Sequence, residues 1–266
     1  MILRIDIFWK NGYTYLMDKY QHLANYKIKY CDVDFKDELK ISTLLAYFEE
    51  ASCSSADELG FGYRYLIKHG YAFIVAGYFC EFRKPILLGD TVTIKTWPTP
   101  PTHVVFGREY QVCSSDEKCL AEATSRWCLV DIKNNKVLSS KSLKEQDYST
   151  YNQFRLFPDW RWKLPVFEPN EGELKFRITI ANSEYDHNMH VNNTRYADYC
   201  LNCFSVEALN SKRIKRFAIN YLKQAKEGDT LSFYLRRHTD GSYLVQGFND
   251  KGELTVQSQI DFEDIE

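Results

Sequence analysis

Residues 82–94, FRKPILLGDTVTI, return in the second half of the chain as residues 221–233, YLKQAKEGDTLSF. An aromatic residue, a lysine and the run Gly-Asp-Thr occupy matching positions in both phrases. Alternating apolar residues follow each Gly-Asp-Thr, as in a half-buried β-strand, for example Leu231 and Phe233 in the second copy. A long phrase that occurs twice indicates that the chain contains two copies of one folding unit.

A helix-like segment precedes each phrase, at residues 41–52 and 191–204, and both segments repeat apolar residues at helical spacing. The predicted buried faces are Ile41, Leu44, Leu45 and Phe48 in the first helix and Tyr196, Tyr199, Cys200 and Cys203 in the second. Two strand-like runs follow each phrase, at residues 106–112, 121–132, 242–248 and 253–262. Each half therefore reads as one strand, one long helix and several further strands.

This element order predicts an α+β fold with two antiparallel sheets, each wrapping a long central helix. A single sheet of this kind leaves an edge strand open, and pairing of the two copies would cover it. The predicted domains are an N-terminal extension at 1–20, a first domain at 21–138, a packed linker at 139–172 and a second domain at 173–266. Met17 is an alternative start of the chain.

Composition excludes several classes of protein. The 266 residues carry a formal net charge of −2, which gives no global reason to expect nucleic acid or an anionic membrane as partner. No uninterrupted apolar run reaches the length of a membrane span. The eight cysteines are interpreted as reduced thiols. These features predict a soluble cytoplasmic protein, and assembly into a homodimer is compatible with them.

Residues 184–193, EYDHNMHVNN, concentrate polar side chains just before the second helix. One interpretation is a purely structural turn in which Asn192 caps the helix. A second is a zinc site formed by Asp186, His187 and His190 with one further ligand. The remaining histidines are isolated and no second metal-binding motif occurs, so we predict no metal.

A third interpretation is catalytic. If the segment is extended, residues two apart share a face, and Asp186, Asn188 and His190 converge on one volume. The first helical residues, Val191, Asn192 and Asn193, would direct free N–H groups at the same volume. In the corresponding turn of the first half, DELKISTLL, the alignment places Glu38 opposite Asn188 and Lys40 opposite His190, so only one half carries Asp, Asn and His together. A base, a carboxylate, an amide and an oxyanion site are what acyl transfer to water requires.

The pattern DxNxHVNNxxY at residues 186–196, together with the duplicated phrases, resembles the acyl-acyl carrier protein thioesterases of plants and bacteria. This is a double hot-dog family, and the resemblance extends from about Tyr26 onward. It implies hydrolysis of fatty acyl-acyl carrier protein to free fatty acid, without a metal or organic cofactor. It also implies that the first half binds the acyl chain between the helix at 41–59 and the strand at 71–79.

The family's catalytic residues correspond to Asp186, Asn188 and His190. The family also has a glutamate before the second Gly-Asp-Thr, and Gln224 occupies that position here. We therefore expect His190 to act as general base and Asp186 to orient it. Asn188 and the helix N-terminus would hold the carbonyl, and Gln224 would position the attacking water.

Acyl carrier proteins are acidic, so a basic patch is expected where one docks. The segment SKRIKR after the second helix supplies Lys212, Arg213, Lys215 and Arg216, although a solvated basic turn also explains it. Two other functions stay open, an acyl-CoA thioesterase of the same fold and a non-catalytic acyl-binding protein. Cys200 and Cys203, on the apolar helix face, are predicted to be inert.

Overall fold

The computed structural model describes residues 7–10, 13–16, 20–144 and 146–265, and a start at Met17 lies outside them. The helices are α1 Ile41–Glu58, α2 Tyr63–His69, α3 Asn193–Leu201 and α4 Val206–Asn210. The strands are β1 Ile7–Lys10, β2 Tyr13–Leu16, β3 His22–Lys27, β4 Tyr71–Phe82, β5 Thr91–Pro98, β6 Val105–Ser114, β7 Cys119–Asp131, β8 Lys136–Leu138, β9 Glu173–Thr179, β10 Lys212–Tyr221, β11 Thr230–Arg237, β12 Tyr243–Phe248 and β13 Leu254–Asp264. None of these four helices combines the length and the apolar character needed to cross a membrane.

The two halves share one antiparallel sheet. Its strand order is β3-β5-β6-β7-β4-β10-β13-β12-β11-β9, with β8 paired to β7, while β1 and β2 form a separate hairpin. The halves meet where β4 pairs with β10, with Phe217 opposite Cys80 and Ile219 opposite Tyr78. The α+β class and the repeated order of elements are confirmed. The two predicted sheets form one continuous sheet, because the edge strand of the first, β4, pairs with the edge strand of the second, β10.

The repeated Gly-Asp-Thr closes the same turn in both halves. Gly89 and Gly228 adopt left-handed backbone conformations, with φ of 87° and 85°. The carboxylates of Asp90 and Asp229 each accept a hydrogen bond from the backbone N–H three residues earlier, at 2.9 and 2.8 Å. The backbone carbonyls of the same two aspartates accept hydrogen bonds from the N–H groups of Ile28, after β3, and Ile180, after β9, both at 2.9 Å. The phrase thus holds the turn between β4 and β5 against the end of β3, and the turn between β10 and β11 against the end of β9.

The two central helices share one core. The eight residues predicted to form the buried helix faces are all buried, at 5% exposure or less, although Cys203 lies just beyond the end of α3. Side chains from both halves form a single hydrophobic cluster, and α1 packs against α3. The second central helix, α3, has nine residues against eighteen in α1, and the short helices α2 and α4 were not predicted.

Residues 139–172 lie against the junction of the halves. Trp160 stacks on Phe79 of β4, with ring centroids 3.8 Å apart. The carbonyl of Trp162 accepts a hydrogen bond from the side chain of Asn220 on β10 at 2.7 Å, and the Arg126 guanidinium lies 4.9 Å from the centre of the Trp162 ring. The division into domains at this segment stays a prediction, since one sheet runs through both halves.

Gly77 leaves no room for a side chain at the junction. A Cβ atom at this position would lie 2.6 Å from the Ile219 carbonyl and 2.6 Å from the Asn220 side chain. We predict that Gly77→Ala lowers the free energy of unfolding by about 1–3 kcal/mol, the usual cost of overpacking. Urea unfolding followed by circular dichroism measures this difference, and an unchanged midpoint would contradict this description of the junction.

Candidate active site

Residues 186–190 form a tight turn, so the prediction of an extended stretch was wrong. The Asp186 N–H donates to the His190 carbonyl at 2.8 Å. One carboxylate oxygen of Asp186 accepts hydrogen bonds from the backbone N–H groups of Asn188 and His190, at 2.8 and 3.3 Å. Met189 has a left-handed φ of 59°. A short acidic side chain that satisfies nearby N–H groups favours this conformation over a strand.

The first half contains the same turn. The Asp34 N–H donates to the Glu38 carbonyl at 2.8 Å, and the Asp34 carboxylate accepts from the N–H groups of Lys36 and Glu38, at 2.8 and 3.2 Å. Asp37 has a φ of 59°, as Met189 does. Equivalent hydrogen bonds therefore match each residue of one turn with a residue of the other.

The structural correspondence corrects the alignment of the halves by two residues. Lys36, not Glu38, stands opposite Asn188, and Glu38, not Lys40, stands opposite His190. An aspartate occupies the same position in both turns, so Asp186 alone does not distinguish the second half. The predicted contrast between the halves therefore rests on Asn188 and His190.

Asp186 contacts His190 through its backbone and not through its imidazole ring. The side chains of Asn188 and His190 are exposed, and neither forms a hydrogen bond with another described residue. Asp186 thus fixes where His190 lies by closing the turn. The exposed imidazole and amide are available to a ligand.

The turn of the first half is closed by direct backbone contacts with the loop that contains its Gly-Asp-Thr. The Leu39 N–H donates to the Ile86 carbonyl at 2.8 Å, and the Leu88 N–H donates to the Asp37 carbonyl at 3.0 Å. Glu38 also forms an isolated β-bridge with Leu87. These contacts occupy the Leu39 N–H with a carbonyl oxygen of the loop.

Two tyrosine hydroxyls take the place of those contacts in the second half. The Tyr185 hydroxyl accepts a hydrogen bond from the Glu227 N–H at 2.7 Å, and the Tyr196 hydroxyl accepts one from the Ala225 N–H at 3.2 Å. No backbone hydrogen bond joins the turn directly to this loop in the described part of the chain. Sequence reasoning missed both tyrosines, although they stand opposite the smaller Val33 and Leu44 once the turns are correctly aligned.

The Val191 N–H is left free as a result. It corresponds to the Leu39 N–H, which in the first half donates to a carbonyl oxygen, and it has no partner among the described residues. Asn192 caps α3, because its side chain accepts from the Thr194 N–H at 2.9 Å. The Asn192 N–H itself donates to the Glu184 carbonyl at 2.8 Å, which removes it from the predicted oxyanion donors. Val191 and Asn193 remain as donors at the positive end of the helix.

Gln224 lies in the loop opposite this turn. It occupies the position that Pro85 holds in the first half, is exposed, and makes no hydrogen bond with a described residue. Its buried neighbour Ala225 anchors the loop through Tyr196. The Gln224 side chain is thus exposed to solvent, on the loop that is hydrogen-bonded to Tyr185 and Tyr196.

His187 points towards the first half. Its ring makes an edge contact with Tyr63 of α2, with ring centroids 5.8 Å apart. No group of three potential metal ligands occurs among the residues that the structure describes, and Asp186 is engaged in the turn. The pair Cys200 and Cys203 lies within the core, where burial raises the pKa of the Cys203 thiol to about 12 and that of Cys200 well above its ordinary value.

The basic residues at 212–216 begin strand β10 and do not form a turn. Three of the four are paired with acids: Lys212 with Asp264 at 2.8 Å, Arg213 with Glu38 at 3.3 Å and Arg216 with Asp261 at 2.6 Å. Lys215 has no acidic partner in the described ranges. The local charge is therefore much smaller than the sequence implies.

A cavity of about 390 Å³ lies beside the turn of the first half. Its apolar wall combines Leu39, Ile41 and Ile86 from the first half with Leu201, Phe204 and Ile214 from the second. Among its lining residues, Ile41 begins α1 and Phe82 ends β4. Binding of an acyl chain between α1 and β4 stays a prediction. The residues of α1 that face the sheet belong to the packed core.

Two family models match the chain. The acyl-ACP thioesterase N-terminal domain matches residues 19–142, and the acyl-ACP thioesterase C-terminal domain matches residues 168–264. Together they cover most of the sequence, in the order in which the two halves occur. The turn at 186–190 lies within the second match.

Two solved structures share this arrangement at low sequence identity. An acyl-ACP thioesterase from Bacteroides thetaiotaomicron shares 22% identity, covers 91% of this chain and 98% of its own, and has a TM-score of 0.82. A 12:0-ACP thioesterase from Umbellularia californica shares 15%, covers 92% and 98%, and has a TM-score of 0.81. Both show the same fold.

A chloroplastic acyl-[acyl-carrier-protein] hydrolase of Cuphea viscosissima is 22% identical over 228 residues. The match covers 82% of this chain and 55% of that relative, so the chain spans about half of the relative's length. The two matching family models and the shared fold lead to one conclusion: the chain belongs to the acyl-ACP thioesterase family, with a double hot-dog fold.

Proposed function

We propose that this protein hydrolyses the thioester of a fatty acyl-acyl carrier protein and releases free fatty acid. The observation that carries the proposal is the open turn of the second half. The Val191 N–H is free there, whereas the matching Leu39 N–H already holds the carbonyl oxygen of Ile86 at 2.8 Å. The closed first half supports the proposal, because a carbonyl oxygen already accepts a hydrogen bond from the matching N–H there.

The thioester carbonyl would bind as the Ile86 carbonyl does in the first half. Its oxygen would accept a hydrogen bond from the Val191 N–H, at the N-terminus of α3, where negative charge is stabilised. The Asn193 N–H and the exposed Asn188 amide lie at the same end of the helix and would support it. These donors oppose the charge that develops on oxygen when water adds to the carbonyl carbon.

His190 would act as the general base. It takes a proton from water as the water oxygen bonds to the carbonyl carbon, and it returns the proton to sulfur as the C–S bond breaks. Asp186 supports this step by closing the turn that carries His190. Gln224, as a neutral amide, would orient the water without accepting its proton.

Acyl carrier protein is the proposed partner, and the first half is proposed to bind the acyl chain. Docking at Lys212, Arg213, Lys215 and Arg216 stays a prediction that now rests mainly on Lys215, because the other three are paired with acids. A cytoplasmic location and a homodimer also stay predictions. An acyl-CoA thioesterase is the alternative enzyme, and the same site chemistry would serve both.

The choice of carrier is tested by measuring thiol release from matched acyl-acyl carrier protein and acyl-CoA substrates. A higher kcat/KM for the carrier-protein substrate supports the proposal, and a preference for acyl-CoA supports the alternative. Binding without release of thiol from either substrate would contradict hydrolysis and favour an acyl-binding protein.

The first variant is His190→Ala. We expect kcat to fall at least about 100-fold, the usual effect of losing an acid–base group, while the fold is retained because the side chain is exposed. His238→Ala, in the turn that follows β11, serves as the matched histidine control and should keep wild-type activity. Wild-type hydrolysis by His190→Ala would refute this role.

The second test compares Asp186→Ala with Asp34→Ala. Each change removes two hydrogen bonds to turn N–H groups, so each should lower the free energy of unfolding by a similar amount, about 1–2 kcal/mol. Only the turn of the second half carries His190, so kcat should fall much further in Asp186→Ala. Urea unfolding and thiol release give the two values, and equal losses of kcat would contradict a special role for the second turn.

The third test concerns Gln224. A carboxylate at this position can accept a proton as well as orient water, so Gln224→Glu should retain or raise kcat. Gln224→Ala removes the polar contact and should lower it. If Gln224→Glu is slower than Gln224→Ala in the same thiol-release measurement, the side chain does not face the attacking water.

A further inference from the structure

Glu49 places a carboxylate from the first half at the start of α3. Its carboxylate accepts a hydrogen bond from the side-chain amide of Asn193 at 3.1 Å. Asn193 is the first residue of α3, two residues after the free Val191 N–H. This contact crosses between the halves, from the middle of α1 to the start of α3, three residues after His190.

Glu49 is half-buried, and Asn193, Asp186 and His187 are polar groups near its carboxylate. Burial is the main cause that raises the pKa of its carboxyl group, and the nearby Asp186 raises it further. The Asn193 hydrogen bond and His187 act in the opposite direction. A carboxylate in such an environment is a stronger proton acceptor than one in water, and it polarises a water molecule more strongly.

Three buried polar atoms close to Glu49 have no hydrogen-bond partner in the described part of the molecule: the hydroxyls of Tyr78 and Tyr221 and the amide oxygen of Asn193. Tyr78 is fully buried on β4, and Tyr221 ends β10, so each lies on one of the two strands that join the halves. The Glu49 carboxylate contributes to raising the pKa of both tyrosines. Buried donors and acceptors usually have partners, so this group of atoms is suited to a small polar molecule.

We infer that Glu49 is a further catalytic residue, which holds and polarises the attacking water at the start of α3 from the opposite half of the molecule. The inference rests on the proposed function and names the carboxylate that Gln224 does not supply. Water would donate one O–H to Glu49 and lose its other proton to His190 as its oxygen bonds to the carbonyl carbon. Glu49 remains ionised throughout, and the proton on His190 passes to the leaving sulfur.

The position of Glu49 explains how a chain with a glutamine at 224 can retain a carboxylate in its site. Leu201 is the residue opposite Glu49 in α3 when the helix starts are aligned. The first half receives a different carboxylate, because Asp198 of α3 is hydrogen-bonded to Ser42 at the start of α1. Only the second turn therefore combines the free Val191 N–H, an exposed His190 and a carboxylate from the other half. The closed turn of the first half lacks the free N–H and the histidine, since the Leu39 N–H is occupied and Glu38 stands at the position of His190.

The test is Glu49→Gln, which keeps the size of the side chain and its hydrogen bond to Asn193 but removes the charge. We expect hydrolysis of the acyl-acyl carrier protein thioester to fall about 100-fold in kcat, with little change in KM. Glu50→Gln is the matched control, since Glu50 is the exposed neighbour on the same helix, and it should hydrolyse the substrate as wild type does.

A second nucleophile separates water activation from a structural role. Hydroxylamine attacks thioesters without prior loss of a proton, giving a hydroxamic acid and the same free thiol. Glu49→Gln should therefore retain hydroxylamine-dependent thiol release to within a few-fold of wild type. An equal loss of both reactions, or unchanged hydrolysis, would overturn the role of Glu49. Absence of thiol release from the wild-type protein would instead refute the proposed function.

Discussion

The pairing of β4 with β10 is the contact on which the rest of the molecule depends. Each half alone would leave a long edge strand with unpaired N–H and C=O groups, and the register Phe217–Cys80 satisfies them by joining the halves. The same pairing brings α1 against α3 in a shared core. It therefore also places Glu49 of the first half beside Asn193 of the second. Gly77 is required at the junction because the neighbouring backbone leaves no space for a Cβ atom.

The two halves differ where chemistry is proposed, although their backbones form the same turns. In the first half the turn is closed by direct backbone contacts, and a carbonyl oxygen of the chain occupies its donor. In the second half the hydroxyls of Tyr185 and Tyr196 accept hydrogen bonds from the loop, in place of direct backbone contacts between the turn and the loop. The Val191 N–H is therefore free. Larger side chains at two positions thus convert a self-satisfied turn into one that can accept a carbonyl group. A free donor in this place is costly for folding and useful for binding.

Sequence reasoning placed the elements well and the site less well. The helix faces and the strands are confirmed because apolar spacing is a local property that burial must respect. The turn at 186–190 was mistaken for an extended segment, since a single aspartate side chain that satisfies local N–H groups outweighs the alternation of residue types. The same error shifted the comparison of the halves by two residues.

The sequence by itself determined the duplication, the core faces, the helix cap at Asn192 and the family to which the chain belongs. These features depend on residue type and on spacing along one segment. Only the tertiary structure decided that the two sheets are one, that Asp186 holds a backbone turn, and that the basic residues of β10 are largely neutralised. It alone brought Glu49 to Asn193, because that contact joins positions far apart in the chain and follows from how two strands pair.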